Sequence, residues 1–109
     1  MNGHVDELGF ERARRSLQAY CERRNSAGAP RQMAVIARSH CLLVVVVDTA
    51  NGSSYEQMKL CLRQGVWTLY WPRKDRRWEL YPALPYSDDW QRILDEFESA
   101  PLHVHWGKE

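Results

Sequence analysis

The feature that most limits the fold of this chain is the shortness of the turns between its apolar segments. Five segments with strand-like patterns follow one another in residues 32–81, and short stretches of turn-forming residues separate them. The strongest of these turn signals is Asn51-Gly52, a pair that favours a hairpin. Parallel strands need a connection of about a dozen residues or more, and this region has none of that length. The sequence therefore predicts an antiparallel meander.

The five predicted strands differ in their apolar patterns. Residues 41–47 form a continuous run rich in β-branched residues, which is typical of a strand covered on both faces. The fourth strand alternates, so Trp67 and Trp71 are predicted on one face and Tyr70 on the other. Trp78 of the fifth strand is expected on the face of Trp67 and Trp71. The five predicted strands span residues 32–38, 41–47, 55–62, 66–71 and 77–81.

One amphipathic helix is predicted before the meander in the chain, and a second one after it. Apolar residues recur at spacings of three and four in residues 6–24, and a similar stripe follows Ser87, the expected N-cap. Pro101 ends this second helix. Both stripes need an apolar surface, and the sheet supplies it.

The expected fold is therefore α+β: an N-terminal helix, a five-stranded antiparallel meander and a C-terminal helix packed on the sheet. One domain is predicted over residues 1–109, with residues 1–5 and 107–109 flexible.

Composition excludes several classes of protein. The chain has 109 residues and a formal net charge of +1, so its overall field does not favour nucleic acid or membranes. The polar N-terminus does not resemble a signal peptide, and the longest apolar run is too short to cross a bilayer. Three cysteines without paired spacing favour reduced thiols, with Cys21 and Cys41 protected and Cys61 accessible. A cytoplasmic location without membrane association is expected.

The turn between the fourth and fifth strands is the best candidate for a binding surface. Residues 72–77 are too polar for a core, and a loop carried on a rigid hairpin often holds binding residues. Aromatic and basic side chains are combined here, as in sites that stack single-stranded nucleic acid. For the tryptophans, the shared face favours core packing, and surface stacking is the alternative. The candidate binding residues are Tyr70, Arg73, Lys74, Arg76, Arg77 and Tyr81.

The same hairpin resembles a family of short bacterial proteins known as domain of unknown function 3024. The resemblance is specific in the hairpin and extends to Tyr20-Cys21-Glu22-Arg23-Arg24, the acidic C-terminal helix and Gly107. The middle strands match less well, since Met58-Lys59 stands where an Ala-Lys pair is expected. The resemblance implies a fold and no activity. The hairpin positions that carry it are Trp67, Leu69, Tyr70, Trp71, Arg73, Asp75, Trp78 and Tyr81.

Metal and catalytic sites have weak signals. His103-x-His105 and His40-Cys41 offer possible ligands, but the chain has neither a CxxC nor an HExxH pattern. Asp48, followed by Gln57-Met58-Lys59 on the next strand, is similar to a metal-dependent nuclease core, although a second carboxylate is absent unless Glu56 serves. No catalytic residue, metal or cofactor is predicted.

Three functions remain open. The first is a non-enzymatic module that binds a protein partner or a second copy of itself, because tyrosine, tryptophan and arginine are enriched at interface hot spots. The second is a nucleic-acid-binding module that uses the basic aromatic hairpin. The third is a small metal-dependent hydrolase.

Overall fold

The α+β prediction is confirmed. The computed structural model describes residues 2–25, 28–73 and 77–99, with side chains described from residue 7 onward. One short strand, the sixth, was not predicted. The elements are α1 (Asn2–Arg24), β1 (Arg31–Arg38), β2 (Cys41–Asp48), β3 (Ser54–Arg63), β4 (Val66–Pro72), β5 (Trp78–Leu80), β6 (Tyr86–Ser87) and α2 (Trp90–Glu98).

The strands form one antiparallel sheet in the order β1-β2-β3-β4-β5, and β6 pairs with β4 beside β5. The β3–β4 turn consists of Gln64 and Gly65, whose φ angles are +52° and +79°. Two positive φ values in a two-residue loop match the right-handed twist of the flanking strands, which is why glycine is favoured here. This turn fixes the register that begins with Arg63 opposite Val66.

The core lies on one face of the sheet, which we call the inner face, and both helices contribute to it. Val44, Val46, Trp67 and Leu69 are all buried, as predicted. Trp67 lies at the centre of an aromatic group, with its ring 6.1 Å from that of Phe10 and 5.2 Å from that of Trp90. Further buried members of the core are Ala13, Leu17, Tyr20, Cys21, Leu42, Met58, Leu60, Leu62, Tyr81, Leu84, Ile93 and Phe97.

The helix ends differ from the predicted ones. α1 begins at Asn2, four residues before the predicted start. The flexibility of residues 1–5 stays a prediction. Asp89, and not Ser87, is the N-cap of α2, and its side chain accepts from the backbone N–H of Gln91. The Ser87 hydroxyl instead accepts from the Asp89 N–H and fixes the turn that leads into the helix.

The prediction for the faces of the fifth strand was wrong. Trp78 pairs with Pro72, and directly paired residues project from the same face of a sheet. Trp78 therefore lies on the side of Tyr70, away from Trp67 and Trp71. Tyr81 lies on the inner face instead, where its ring meets Trp71 edge-on with centroids 5.2 Å apart. The register across the β4–β5 turn decides this, and alternation within each strand leaves it open.

None of the described helices combines the length and apolar composition that a membrane-spanning helix requires. His103, His105, Gly107 and the segment 107–109 lie outside the described residues, so the flexibility of that segment stays a prediction.

Candidate functional site: a cleft on the helix-free face

The outer face of the sheet, opposite the helices, carries a mixed apolar, aromatic and basic surface. The register places one row of side chains across five strands, in the order Ile36, Leu43, Lys59, Tyr70 and Leu80. Ile36 and Leu80 are exposed at the two ends of this row. Among the described residues, neither helix contributes to this face. The row therefore has accessible apolar ends and a half-buried cation at its centre.

A cleft of about 430 Å³ opens on this face. Leu43 and Val45 line it and are only 6% and 5% exposed, although no described helix covers them. Ile36 of β1 and Trp78 of β5 line the same cleft. Because strands lie about 4.8 Å apart, residues of the two edge strands share a cleft only if the sheet curves around its outer face.

A β-bulge in β3 contributes to this curvature. The pairing of β2 with β3 shifts between Val44 and Val45, so Val44 pairs with Met58 while Val45 pairs with Glu56. Gln57 is the extra residue, and it is the buried polar residue among the described part of the chain. A bulge bends its strand and raises the local twist. It also moves Glu56 into the lining of the cleft.

Lys59 lies between two aromatic rings at the centre of the outer face. Its Nζ atom is 5.0 Å from the ring centroid of Tyr70 and 4.9 Å from that of Trp78. A cation within about 6 Å of an aromatic face is attracted by the ring quadrupole. The three side chains thus hold one another in place beside the cleft. Alternation along β3 places Lys59 on the other face of the strand from Met58 and Leu60, but it does not reveal that Lys59 lies between two rings.

The candidate residues of the hairpin do not form one surface. Arg73 lines the cleft, and its guanidinium lies 3.1 Å from the Glu79 carboxylate in an exposed ion pair. Arg77 is exposed, and its carbonyl accepts from the backbone N–H of Arg73. Tyr70 is half-buried on the outer face. Lys74 and Arg76 lie outside the described residues.

Tyr81 is a core residue, so it does not lie on the surface with Tyr70. It is 2% exposed, and its hydroxyl donates a 2.7 Å hydrogen bond to the Glu96 carboxylate of α2. Burial, followed by this carboxylate, raises the pKa of Tyr81 well above its ordinary value. The hydroxyl therefore fastens α2 to the sheet.

The cysteine prediction was wrong for two of the three residues. Cys41 and Cys61 face each other on β2 and β3 and form a disulfide, with Cα atoms 4.0 Å apart. Cys21 is a free, buried thiol, as predicted, and burial raises its pKa to about 12. The signal that sequence reasoning missed is the hairpin register, which pairs the first residue of β2 with a late residue of β3.

The residues of the hydrolase hypothesis are not brought together. Val45 pairs with Glu56, which places Glu56 on the outer face. Alternation along β2 places Asp48 on the opposite, inner face. The Asp48 carboxylate accepts from the backbone N–H of Ala50 at 2.9 Å and stabilises the β2–β3 turn. This arrangement offers no carboxylate pair for a metal ion.

A second cleft, of about 440 Å³, lies between α1 and the β3–β4 turn, against Trp67 and Trp90. The Trp90 indole N–H donates to the Ser16 hydroxyl at 2.9 Å. The indole N–H of Trp90 therefore already has a hydrogen-bond partner within the fold. This cleft has fewer exposed aromatic and charged groups than the one on the outer face.

Comparison with known proteins gives one match. The family model described as Domain of unknown function (DUF3024) matches residues 5–107, nearly the whole chain. Neither the curated proteins nor the solved structures contain a match.

Proposed function

The chain belongs to the DUF3024 family, whose description names no activity, and we propose that it is a non-enzymatic protein-interaction module that binds through its outer face. The observation that carries the proposal is the cleft with Leu43 and Val45 in its lining, framed by Trp78 and by the guanidinium groups of Arg38 and Arg73. Protein interfaces combine such apolar centres with aromatic and arginine side chains.

The occupant that fits this cleft is an extended polypeptide segment with apolar side chains and an acidic residue. Ile36 offers an exposed apolar contact, and Leu43 and Val45 add the small apolar areas that they expose to the cleft. Arg38 lies at the lining and forms no ion pair within the described residues, so it can pair with a carboxylate of the partner. Arginine binds carboxylates through two parallel hydrogen bonds.

A peptide-display selection tests the proposal, because it works without an identified partner. Random peptides are selected on the purified protein and then titrated into ¹⁵N-labelled protein. We expect apolar and acidic peptides that bind with micromolar Kd and shift the amide signals of Leu43, Lys59 and Tyr70. Trp78→Ala should weaken binding by about tenfold or more, as expected of an aromatic anchor.

The matched control is Leu8→Ala, since Leu8 is an exposed apolar residue of α1 at 55% exposure and away from the cleft. This variant should leave the peptide Kd unchanged. The proposal fails if the selected peptides shift signals around Leu8 or the second cleft, or if Trp78→Ala binds as well as the wild type.

Nucleic-acid binding is a second candidate, supported by Lys59, Tyr70 and Trp78 on an open sheet face. Single-stranded nucleic acid is bound by such combinations of rings and cations. We rank it below protein binding because Lys59 already lies over both rings, and because Trp67 and Trp71 face the core. Measuring oligonucleotide binding at several salt concentrations separates the two, since phosphate contacts weaken steeply with salt.

A bacterial, cytoplasmic protein is part of the same proposal. Cytoplasmic reductants keep most thiols reduced, so Cys41 and Cys61 would be thiols for much of the time in that compartment. Rapid alkylation of intact cells with a mass-shifting maleimide would test this. A cytoplasmic protein should gain two alkyl groups on the pair, whereas a fully oxidised pair in living cells would contradict the proposed location.

A further inference from the structure

Three potential metal ligands meet where the first hairpin joins β3. They are the imidazole of His40, in the β1–β2 turn, and the sulfur atoms of Cys41 and Cys61. All their ligand atoms lie within 4.8 Å of one another. His40 is exposed, and both cysteines are half-buried, so the cluster is open to solvent on the outer face.

The fold places these residues together through its register. The two-residue turn makes Arg38 and Cys41 the hydrogen-bonded pair that closes the β1–β2 hairpin. Cys41 therefore directs its backbone groups toward β1, and its pairing with Cys61 is a non-hydrogen-bonded one, where side chains approach most closely. The backbone N–H of Leu62 donates to the His40 carbonyl at 2.9 Å and ties the turn to β3.

We propose that Cys41, Cys61 and His40 form a redox-gated zinc site. In the oxidised protein the two sulfur atoms are bonded to each other, and the site is closed. Two molecules of a thiol reductant supply two electrons and two protons and are oxidised to a disulfide, while the Cys41–Cys61 S–S bond breaks and each sulfur becomes a thiol. Zinc then binds both sulfur atoms and one imidazole nitrogen, and the two thiol protons are released to solvent.

The chemistry of the donors favours zinc. Two thiolates and an imidazole suit this borderline-soft ion, which is usually tetrahedral in proteins. Three protein ligands leave the fourth position to water or to a group of a partner molecule. Because metal binding requires deprotonated thiols, the affinity should rise with pH. The proposal does not rest on the peptide-binding function: none of the three ligands lines the peptide cleft, although Arg38, which does line it, pairs with Cys41.

Cobalt(II) provides a spectroscopic test, because thiolate ligands give it strong near-ultraviolet absorption. Wild-type protein is reduced with a phosphine, freed of reductant without oxygen and titrated with Co²⁺. We expect saturation at about one equivalent, with spectra typical of tetrahedral sulfur coordination, and displacement by Zn²⁺. Cys61→Ser should abolish the sulfur bands, and His40→Ala should weaken binding by about tenfold or more.

Two controls keep the test decisive. Oxidised wild type, which has the disulfide of the structure described above, should bind no Co²⁺. This negative control does not depend on the folding of any variant. Cys21→Ala removes the buried thiol and should leave the titration unchanged. The proposal is overturned if the reduced wild type gives no sulfur bands, if Cys61→Ser or oxidised protein binds equally well, or if His40→Ala binds as tightly as the wild type.

Discussion

Trp67→Ala should be the most destabilising single change among the tryptophans of the described part of the chain. Trp67 is 4% exposed and contacts Phe10 of α1 and Trp90 at the start of α2, so its ring joins both helices to the sheet. Truncation of a buried tryptophan typically costs about 3–5 kcal/mol, which includes the cavity left behind. Each lost aromatic pair adds about 0.5–1.5 kcal/mol. Because these contributions overlap, we expect a loss of about 4 kcal/mol in the free energy of unfolding.

Urea unfolding monitored by far-ultraviolet circular dichroism measures this loss. Trp67→Phe keeps most of the ring volume and should remain folded if the alanine variant does not, at a cost of about 1–2 kcal/mol. Trp78→Ala is the matched control, because it removes the same side chain from the outer face and should cost about 1 kcal/mol or less. Equal losses for Trp67→Ala and Trp78→Ala would refute the assignment of the two faces.

Three further predictions concern contacts between elements. Cys61→Ser opens a disulfide with a sequence separation of 20 and should lower the free energy of unfolding by about 3 kcal/mol under oxidising conditions; under reducing conditions it should match the wild type. The pKa of Tyr81 is raised in the folded state, so its contribution to the free energy of unfolding is complete below about pH 10 and is lost as the pH rises further. Urea midpoints measured from about pH 7 to 10.5 should therefore fall less steeply in Tyr81→Phe than in the wild type. The Asn25 side chain both accepts from and donates to the backbone of Met33 in β1. Asn25→Ala should lower the free energy of unfolding by about 1–2 kcal/mol and speed the exchange of the Met33 amide hydrogen. Unchanged exchange would contradict this prediction.

Local sequence signals determined much of the architecture. Short turns fixed the antiparallel order. The continuous apolar run of β2 identified Val44 as buried, and alternation in β3 and β4 did the same for Leu60 and Trp67. These features depend on neighbours within a few positions along the chain, where backbone geometry dictates which side chains share a face. The hairpin resemblance also identified the family correctly.

Register between strands required the tertiary structure. Alternation within the fifth strand separates Trp78 from Tyr81, but only the pairing of Trp78 with Pro72 decides which of the two is buried. The pairing of Cys41 with Cys61 and the position of Lys59 between two rings arise in the same way. A shift of one residue between strands moves every side chain to the opposite face, and loop length and bulges set that shift. The sequence therefore determined the strands and their order, while the packed sheet decided which aromatic, basic and sulfur groups meet on its open face.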